Sequence, residues 1–488
     1  MTDPRRRALS ARAHRPATVL AAASLLLLGA CASMAPRYER PAVPVADHFP
    51  VVTGDNTAAP PPAESASSPA AAEIDWQRYF VDERLRRLIG LALETNRDLR
   101  VAVLNIEQAR ATYQVRRADA LPTVGVGATG QRQPNPSGNG ISSVYTAGLS
   151  VTAYEFDFFG RVRSLSDAAL AQYAATEEAR KAAQISIVSA VATTYLALVA
   201  DDELLAVTRQ ALSTREESFR LTRLKFDNGA ASELDFRQAE SLLEGARVSL
   251  AQLTRQRALD ENALVLLLGR PLPADLPAGL PLAAQQLSAD LPAGLPSELL
   301  TRRPDVRQAE QQLLAANANI GAARAAFFPR ITLTGSAGTA SNHLSGLFKA
   351  GSGAWSFAPQ LVLPIFDAGR NRANLEAAQA NRDIAVAQYE RSIQSAFREV
   401  ADALAGRATL GEQARAQFAQ TQSEQARFKL ADLRYRNGVA SYLDVLDAQR
   451  SLFIAQQSAV QVQALQVQNS VSLYKVLGGG WTQGAVSR

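Results

Sequence analysis

The sequence predicts a mainly α-helical fold with a small β component: a unit of two strands followed by a long antiparallel helical hairpin, written twice. Three observations predict it. The first is internal repetition. Leu224–Asp235 (LKFDNGAASELD) reappears as Leu433–Asp444 (LRYRNGVASYLD), with Asn228 and Asn437 209 positions apart. Phe156-Asp157 recurs as Phe366-Asp367, Leu268-Gly269 as Leu477-Gly478, and Arg117-Ala118 with Pro122 as Arg324-Ala325 with Pro329. A solenoid repeats every 20–50 residues or so, so a unit this long points to pseudo-symmetric assembly instead. The second observation is proline usage. The chain has 23 prolines, yet none from Arg161 to Arg270 and none from Ile365 onward. An interior proline costs a helix about 3 kcal/mol, so both stretches read as long helices. The third is a pair of short alternating segments before each proline-free stretch.

Residues 1–30 read as a signal peptide. Arg5, Arg6 and Arg7 precede the apolar run Val19–Leu28, which ends in Leu28-Gly29-Ala30-Cys31. The only cysteine of the chain thus follows a small-residue cleavage site, an arrangement similar to a bacterial lipoprotein box, which makes Cys31 the lipidated N-terminus. The other reading is an ordinary signal peptide with an accidental cysteine. The leader carries five arginines against one aspartate, so the formal net charge of +5 falls to +1 without it. No bulk charge then favours nucleic acid. With His14, His48 and His343 as the only histidines and Cys31 as the only cysteine, the chain has no material for a disulfide or a His/Cys zinc cluster. No nucleophile motif accompanies the histidines, so no catalytic residue, metal site or cofactor is assigned.

Residues 31–75 form an N-terminal segment and an extended linker rich in Pro, Ala and Ser. The first repeat covers 76–290. Helical spacing runs from Trp76 through Leu85, Leu88, Ile89 and Ala92 and stops at Leu121-Pro122. Strands follow at about 123–131 and 144–156. The proline-free helix then turns at Asn228-Gly229 and returns to Gly269. Ile185, Val188, Ala192, Tyr195 and Val199 step by 3, 4, 3 and 4, the heptad spacing of coiled coils. The second repeat covers 291–480, with strands at about 330–339 and 355–365 and a turn at Asn437-Gly438. Residues 481–488 are a tail.

Each alternating segment is close to the length of about 9–11 residues that a tilted transmembrane strand needs. No run of 18 apolar residues follows the leader, so no transmembrane helix is expected. Four strands cannot close a membrane barrel, and an open edge is not tolerated in lipid. Oligomerisation resolves this, and three chains would supply twelve strands. Tyr154, Phe156, Phe158, Phe159, Phe327 and Phe328 lie at strand ends, either as an interfacial girdle or as caps between strands and helices.

At this point the chain resembles the trimeric TolC-like outer-membrane efflux factors of the lipidated OprM/NodT type. The resemblance rests on Tyr38-Glu39-Arg40-Pro41, Asn96-Arg97-Asp98-Leu99-Arg100, Arg302-Arg303-Pro304-Asp305-Val306 with Ala309-Glu310, the block Ala315–Pro329, Pro364-Ile365-Phe366-Asp367-Ala368-Gly369, and Tyr442–Gln449. It implies a homotrimer whose 12-stranded β-barrel in the outer membrane continues into a periplasmic α-barrel. It also implies a periplasmic adaptor protein and an inner-membrane pump as partners. The expected function is the passive exit duct of a tripartite efflux system for small molecules such as drugs. Alternatives are an exit duct for protein or metal ions, and a lipid-anchored coiled-coil scaffold without a pore, which bilayer conductance would separate.

A duct works through pore diameter and the charge of its lining, so the helical turns matter most. Asp444 and Asp447 stand at i, i+3 on one helix face. Rings of them from three chains would repel anions and raise their own pKa values. In the first repeat the equivalent positions are Asp235 and Gln238. By resemblance the second-repeat hairpin is the inner, gating one. Leu443 and Asp447 match aperture positions, Tyr435 and Asp444 match TolC-type gate positions, and Arg450 is a partner within the ring. Where the TolC-type gate also uses an arginine, this chain has Ala440. The first-repeat tip, Gly229, Ala230, Ala231 and Ser232, is small and uncharged. It reads either as an adaptor contact or as a plain helix-ending turn.

Overall fold

The computed structural model describes residues 33–50, 71–135, 138, 140–285, 291 and 298–481. The signal peptide, Cys31, part of the linker, part of the boundary near 290 and all but Trp481 of the tail lie outside the described residues. The chain is mainly α-helical with one four-stranded sheet, and it divides into two compact units.

The first unit comprises Met1–Ala42, Asn105–Thr176 and Gln308–Tyr389. It holds β1 (Val124–Pro134), β2 (Ile141–Phe156), β3 (Arg330–Ser341) and β4 (Gly353–Val362), paired antiparallel in the order β1-β2-β3-β4. The β2–β3 seam joins the two repeats, with Gly148 opposite Gly338. The backbones there are so close that a Cβ on Gly338 would stand 2.2 Å from the Ala147 carbonyl oxygen. A bulge between Val151 and Tyr154 places Ala153 at φ 51°, the left-handed region uncommon outside glycine. β4 ends at Val362, short of Ile365. Every residue of β1 and β4 is exposed in the isolated chain, including Val126 at 85% and Trp355 at 80%. Apolar strands bare on both faces, with two unpaired edges, are an unfinished surface in water.

In the same unit the segment from Ser33 to Arg40 runs as a strap along α7 (Pro304–Ala325), in the opposite direction to the helix. Arg324 donates from Nη1 to the Met34 carbonyl at 3.2 Å, and Asn317 from Nδ2 to the Pro36 carbonyl at 2.8 Å. Buried Glu310 accepts from Tyr38 Oη at 3.1 Å and from Arg40 Nε at 2.8 Å. Burial and the nearby carboxylate push the Tyr38 phenol up to about 12. Gly321 is required at the crossing, since a Cβ there would lie 2.7 Å from Ala35 N. The Tyr38-Glu39-Arg40-Pro41 motif and the Ala309-Glu310 motif, far apart in sequence, are thus two halves of one interaction.

The second unit comprises Val43–Leu104, Glu177–Arg307 and Glu390–Arg488. It contains α1 (Trp76–Tyr79), α2 (Glu83–Thr95), α5 (Glu233–Leu268), α6 (Leu299–Arg302), α9 (Tyr442–Val476), and most of α4 (Arg161–Asp227) and α8 (Arg370–Arg436). The helix α3 (Arg97–Ala118) is shared between the units. Leu85, Leu88, Ile89 and Ala92 of α2 are fully buried, as their helical spacing on one face requires. Tyr79 stacks on Tyr474 at 4.0 Å between ring centres.

The duplication is visible where each hairpin ends. Gly269 (φ 67°) lies under the Thr95 carbonyl and Gly478 (φ 85°) under the Arg302 carbonyl. A Cβ would come within 2.7 and 2.8 Å of those oxygens. One 18-residue window of α4 reaches a mean hydropathy of 1.7, and half of it is buried inside the chain. Ile185, Val188, Val191 and Leu196 account for this as core packing, which an amphipathic core helix needs as much as a membrane helix does.

An acidic cluster lies between α4 and α5. Asp201 is 6% exposed, and its buried Oδ2 accepts no hydrogen bond from the described residues. Burial first, then Asp260 and Asp202, push its carboxyl up to about 7. A folded pKa above the unfolded one means the native state binds the extra proton, so stability falls as pH rises from the unfolded value towards the folded one. Asp201→Asn is expected to leave the melting temperature nearly unchanged at about pH 4, near the unfolded carboxyl value, and to raise it by several degrees well above the folded value. Thermal melts at the two pH values test this, and an equal shift at both would dismiss the raised carboxyl.

Candidate functional site

The two helical turns, both in the second unit, are built alike. In the α4–α5 turn Gly229 takes φ 70°, its N–H reaches the Phe226 carbonyl at 2.9 Å, and Asn228 Nδ2 donates to the Leu224 carbonyl at 2.7 Å. In the α8–α9 turn Gly438 takes φ 72°, its N–H reaches the Tyr435 carbonyl at 2.9 Å, and Asn437 Nδ2 donates to the Leu433 carbonyl at 2.7 Å. Glycine is the residue that reaches this left-handed conformation without strain. Each return helix opens with a capping box, Ser232 with Asp235 and Ser441 with Asp444.

That arrangement gives two sequence-predicted site residues another occupation. The Ser232 hydroxyl accepts from Asp235 N at 3.1 Å, and Asp444 Oδ2 accepts from Ser441 N at 3.1 Å. Such caps are worth about 0.5–2 kcal/mol each. Asp444 therefore closes the end of its own helix, as Asp235 does in the first repeat. The S-x-x-D spacing in both copies was the available signal.

Beyond the shared scaffold the turns diverge. Asp447, half-buried, accepts from Arg427 Nη2 and, at 2.6 Å, from Arg450 Nη2. Arg427 also donates to Glu424 at 3.1 Å and to the Ser451 hydroxyl at 3.3 Å. Within one chain the electrostatic balance is therefore opposite to the like-charge repulsion expected of carboxylates alone. Arg427, seconded by Arg450, holds the Asp447 carboxyl below the usual carboxylate range. Arg427 was missed in the sequence although a rule could have found it: residues equidistant from a hairpin turn face each other, and 427 and 447 flank 437–438 almost evenly. The first repeat has Ser218 and Gln238 at those places, so the charged pair belongs to the second repeat alone.

Tyr435 meets the other hairpin. Lys225 Nζ donates to its hydroxyl at 2.7 Å and stands 4.7 Å from its ring centre, a cation–π contact. Tyr442 packs 5.2 Å from Tyr435, and buried Gln449 donates to the Ser218 hydroxyl at 3.2 Å. Leu443 projects from the same turn and is exposed. The structure thus brings Tyr435, Leu443, Asp444, Asp447 and Arg450 to one end of α8–α9. Gly229, Ala230, Ala231 and Ser232 stand on the neighbouring α4–α5 turn as a largely exposed, uncharged surface. Among the described residues no group of three or more acidic, His or Cys side chains could hold a metal ion.

A sheet with exposed apolar faces, joined to long antiparallel helical hairpins whose turns carry ion pairs instead of a reactive centre, defines the protomer of a membrane channel. Residues 88–270 and 295–479 match the family described as Outer membrane efflux protein. The toluene efflux pump outer membrane protein TtgI of Pseudomonas putida is 49% identical over 465 residues, covering 94% of this chain and 97% of the relative. The outer membrane protein OprJ of Pseudomonas aeruginosa is 47% identical over 465 residues, covering 94% and 95%. Among solved structures, the open state of the MtrE outer membrane channel of Neisseria gonorrhoeae matches with a TM-score of 0.84 and 45% identity, covering 92% of this chain and 99% of that one. The chain belongs to the outer membrane efflux protein family. It is an outer-membrane exit channel of a tripartite efflux system for small molecules, and not an enzyme.

Proposed function

We propose that three copies of this chain close a single twelve-stranded barrel in the outer membrane, and that the α8–α9 turns gate its periplasmic end. The observation that carries this reading is the four-stranded sheet with two bare edges. Backbone groups unpaired in lipid cost several kcal/mol each, so the β1 edge of one copy must meet the β4 edge of the next. Twelve is an even number within the range of about 8–26 strands for such barrels. Cys31, acylated, anchors each copy to the outer membrane. A periplasmic adaptor protein contacts the small-residue tip at Gly229, Ala230, Ala231 and Ser232, and an inner-membrane pump supplies the energy. The cargo is small molecules such as drugs and solvents, since relatives of nearly equal length and 48–49% identity are named for toluene, solvent and antibiotic efflux.

In the resting gate, Leu443 narrows the opening. Arg427 and Arg450 fix Asp447 beside it, and Lys225 ties Tyr435 of the gating hairpin to the first-repeat hairpin. Native mass measurement of detergent-extracted protein tests assembly, with three chains expected, each carrying acyl groups on Cys31. A stable membrane-inserted monomer would remove the barrel. A trimer without bilayer conductance would favour a scaffold. Export of a protein or a metal ion in place of hydrophobic drugs would reassign the cargo.

A further inference from the structure

We propose that an open groove at the junction of strap, helix and sheet seats an acyl chain carried by Cys31. The groove has a volume of about 480 Å³ and is lined by Ser33, Met34, Ala35, Arg324, Phe327 and Phe328. Its apolar share comes from Met34 and two phenylalanines: Phe327 is 43% and Phe328 41% exposed, and Phe159 stacks on Phe328 at 4.9 Å, while Ser33 and Arg324 make the rest polar. Arg324 stands on its wall with one donor on the Met34 carbonyl. A guanidinium has five donors, so others remain for the ester and amide carbonyls of an acylated N-terminus.

The occupant follows from where the chain enters. The first described residue, Ser33, lines the groove, and Cys31 is two residues earlier, within about 7 Å of chain. The strap is pinned in direction by Glu310, Asn317 and Arg324 in turn, so its N-terminal end is delivered to the C-terminal end of α7 and nowhere else. The glycine at 321 lets the strap lie against the helix at this crossing, and the Ser33 and Ser164 hydroxyls meet at 3.3 Å. Phe327 and Phe328 stand just before β3, at a strand end where a membrane barrel would carry its interfacial aromatic girdle. A chain seated here sets the height of the sheet in the membrane as well as tethering it. The inference rests on the acylation of Cys31.

The test uses the full-length protein made in cells fed a fatty acid that carries a diazirine and an alkyne. After irradiation of membranes, digestion is expected to yield the Cys31 peptide joined through its acyl chain to the peptide containing Phe327 and Phe328. Phe327→Glu with Phe328→Glu is expected to abolish that linkage while leaving the label on Cys31. Labelled Cys31 whose cross-links spread over strand residues, with no excess at the groove, overturns the groove but not the acylation. No label on Cys31 in processed protein overturns the acylation reading itself. Groove cross-links that persist in Cys31→Ser assign the site to a free phospholipid and overturn the proposal.

Discussion

Replacing Leu443 and Asp447 together by alanine is expected to raise single-channel conductance several-fold and to make cells permeable to large antibiotics even without a working pump. Leu443 is the exposed bulk at the tip, and Asp447 is the acceptor that two arginines share. Removing both takes away the group proposed to narrow the opening, leaves Arg450 without its carboxylate and leaves Arg427 with that of Glu424 alone. The matched change in the first repeat, Leu234→Ala with Gln238→Ala, is expected to do much less, because Gln238 carries no charge to pair with an arginine. Equal effects from the two pairs would cancel the assignment of the second-repeat hairpin to the inside. No effect from the first pair would return Leu443 and Asp447 to an ordinary helix surface.

The same pair fixes the pH response. A carboxyl held below its ordinary value contributes stability that is present above the unfolded pKa and lost as pH falls through the folded one. The ordinary aspartate value is about 3.9, and Arg427 lowers that of Asp447. Conductance should therefore stay level from about pH 8 to about pH 5 and rise only in stronger acid. Bilayer recordings across that range check it, and a transition near neutral pH would point to carboxylate–carboxylate repulsion as the dominant force instead.

A second large effect is expected at the seam between the repeats. Gly338→Ala should abolish recovery of the protein from the outer-membrane fraction. The added Cβ would lie 2.2 Å from the Ala147 carbonyl oxygen and 2.5 Å from Gly148 Cα. Both are backbone atoms, so no side chain can swing aside, and β2 must separate from β3. Gly148→Ala meets the same wall from the other strand, at 2.5 Å from the Ala337 oxygen. Two controls separate crowding from a general intolerance of alanine in strands. At Gly335 the nearest atom to a new Cβ is the Ser356 oxygen at 3.4 Å, and at Gly127 nothing lies within 4 Å. Both variants should assemble normally. Recovery of Gly338→Ala at the level of Gly127→Ala would mean that the seam opens without cost.

Much of the fold was legible because it rests on local rules. The proline-free stretches, the heptads and the Asn-Gly turns act within a few residues of chain, so the helices from Arg161 to Asp227 and from Arg370 to Arg436 could be read from spacing alone. The strands were less sharply bounded. β1 and β2 extend to Pro134 and from Ile141, further into the turn than alternation suggested, because cross-strand pairing carries residues that side-chain pattern does not mark. At the site, Leu443 and Asp447 could be named from the repeat and from the resemblance. Asp444 could be named too, but its capping bond to Ser441 went unread although the spacing was visible.

By itself the sequence determined the duplication, the helix–strand order, the turns and the difference between their two tips. Each of these follows from residue type and spacing, which act along the chain. Only the tertiary structure decided the partners: Arg427 for Asp447, Lys225 for Tyr435, and Glu310 for Tyr38 and Arg40. An ion pair or hydrogen bond falls off over a few ångströms of space, whatever the separation in sequence, and the fold alone sets those distances.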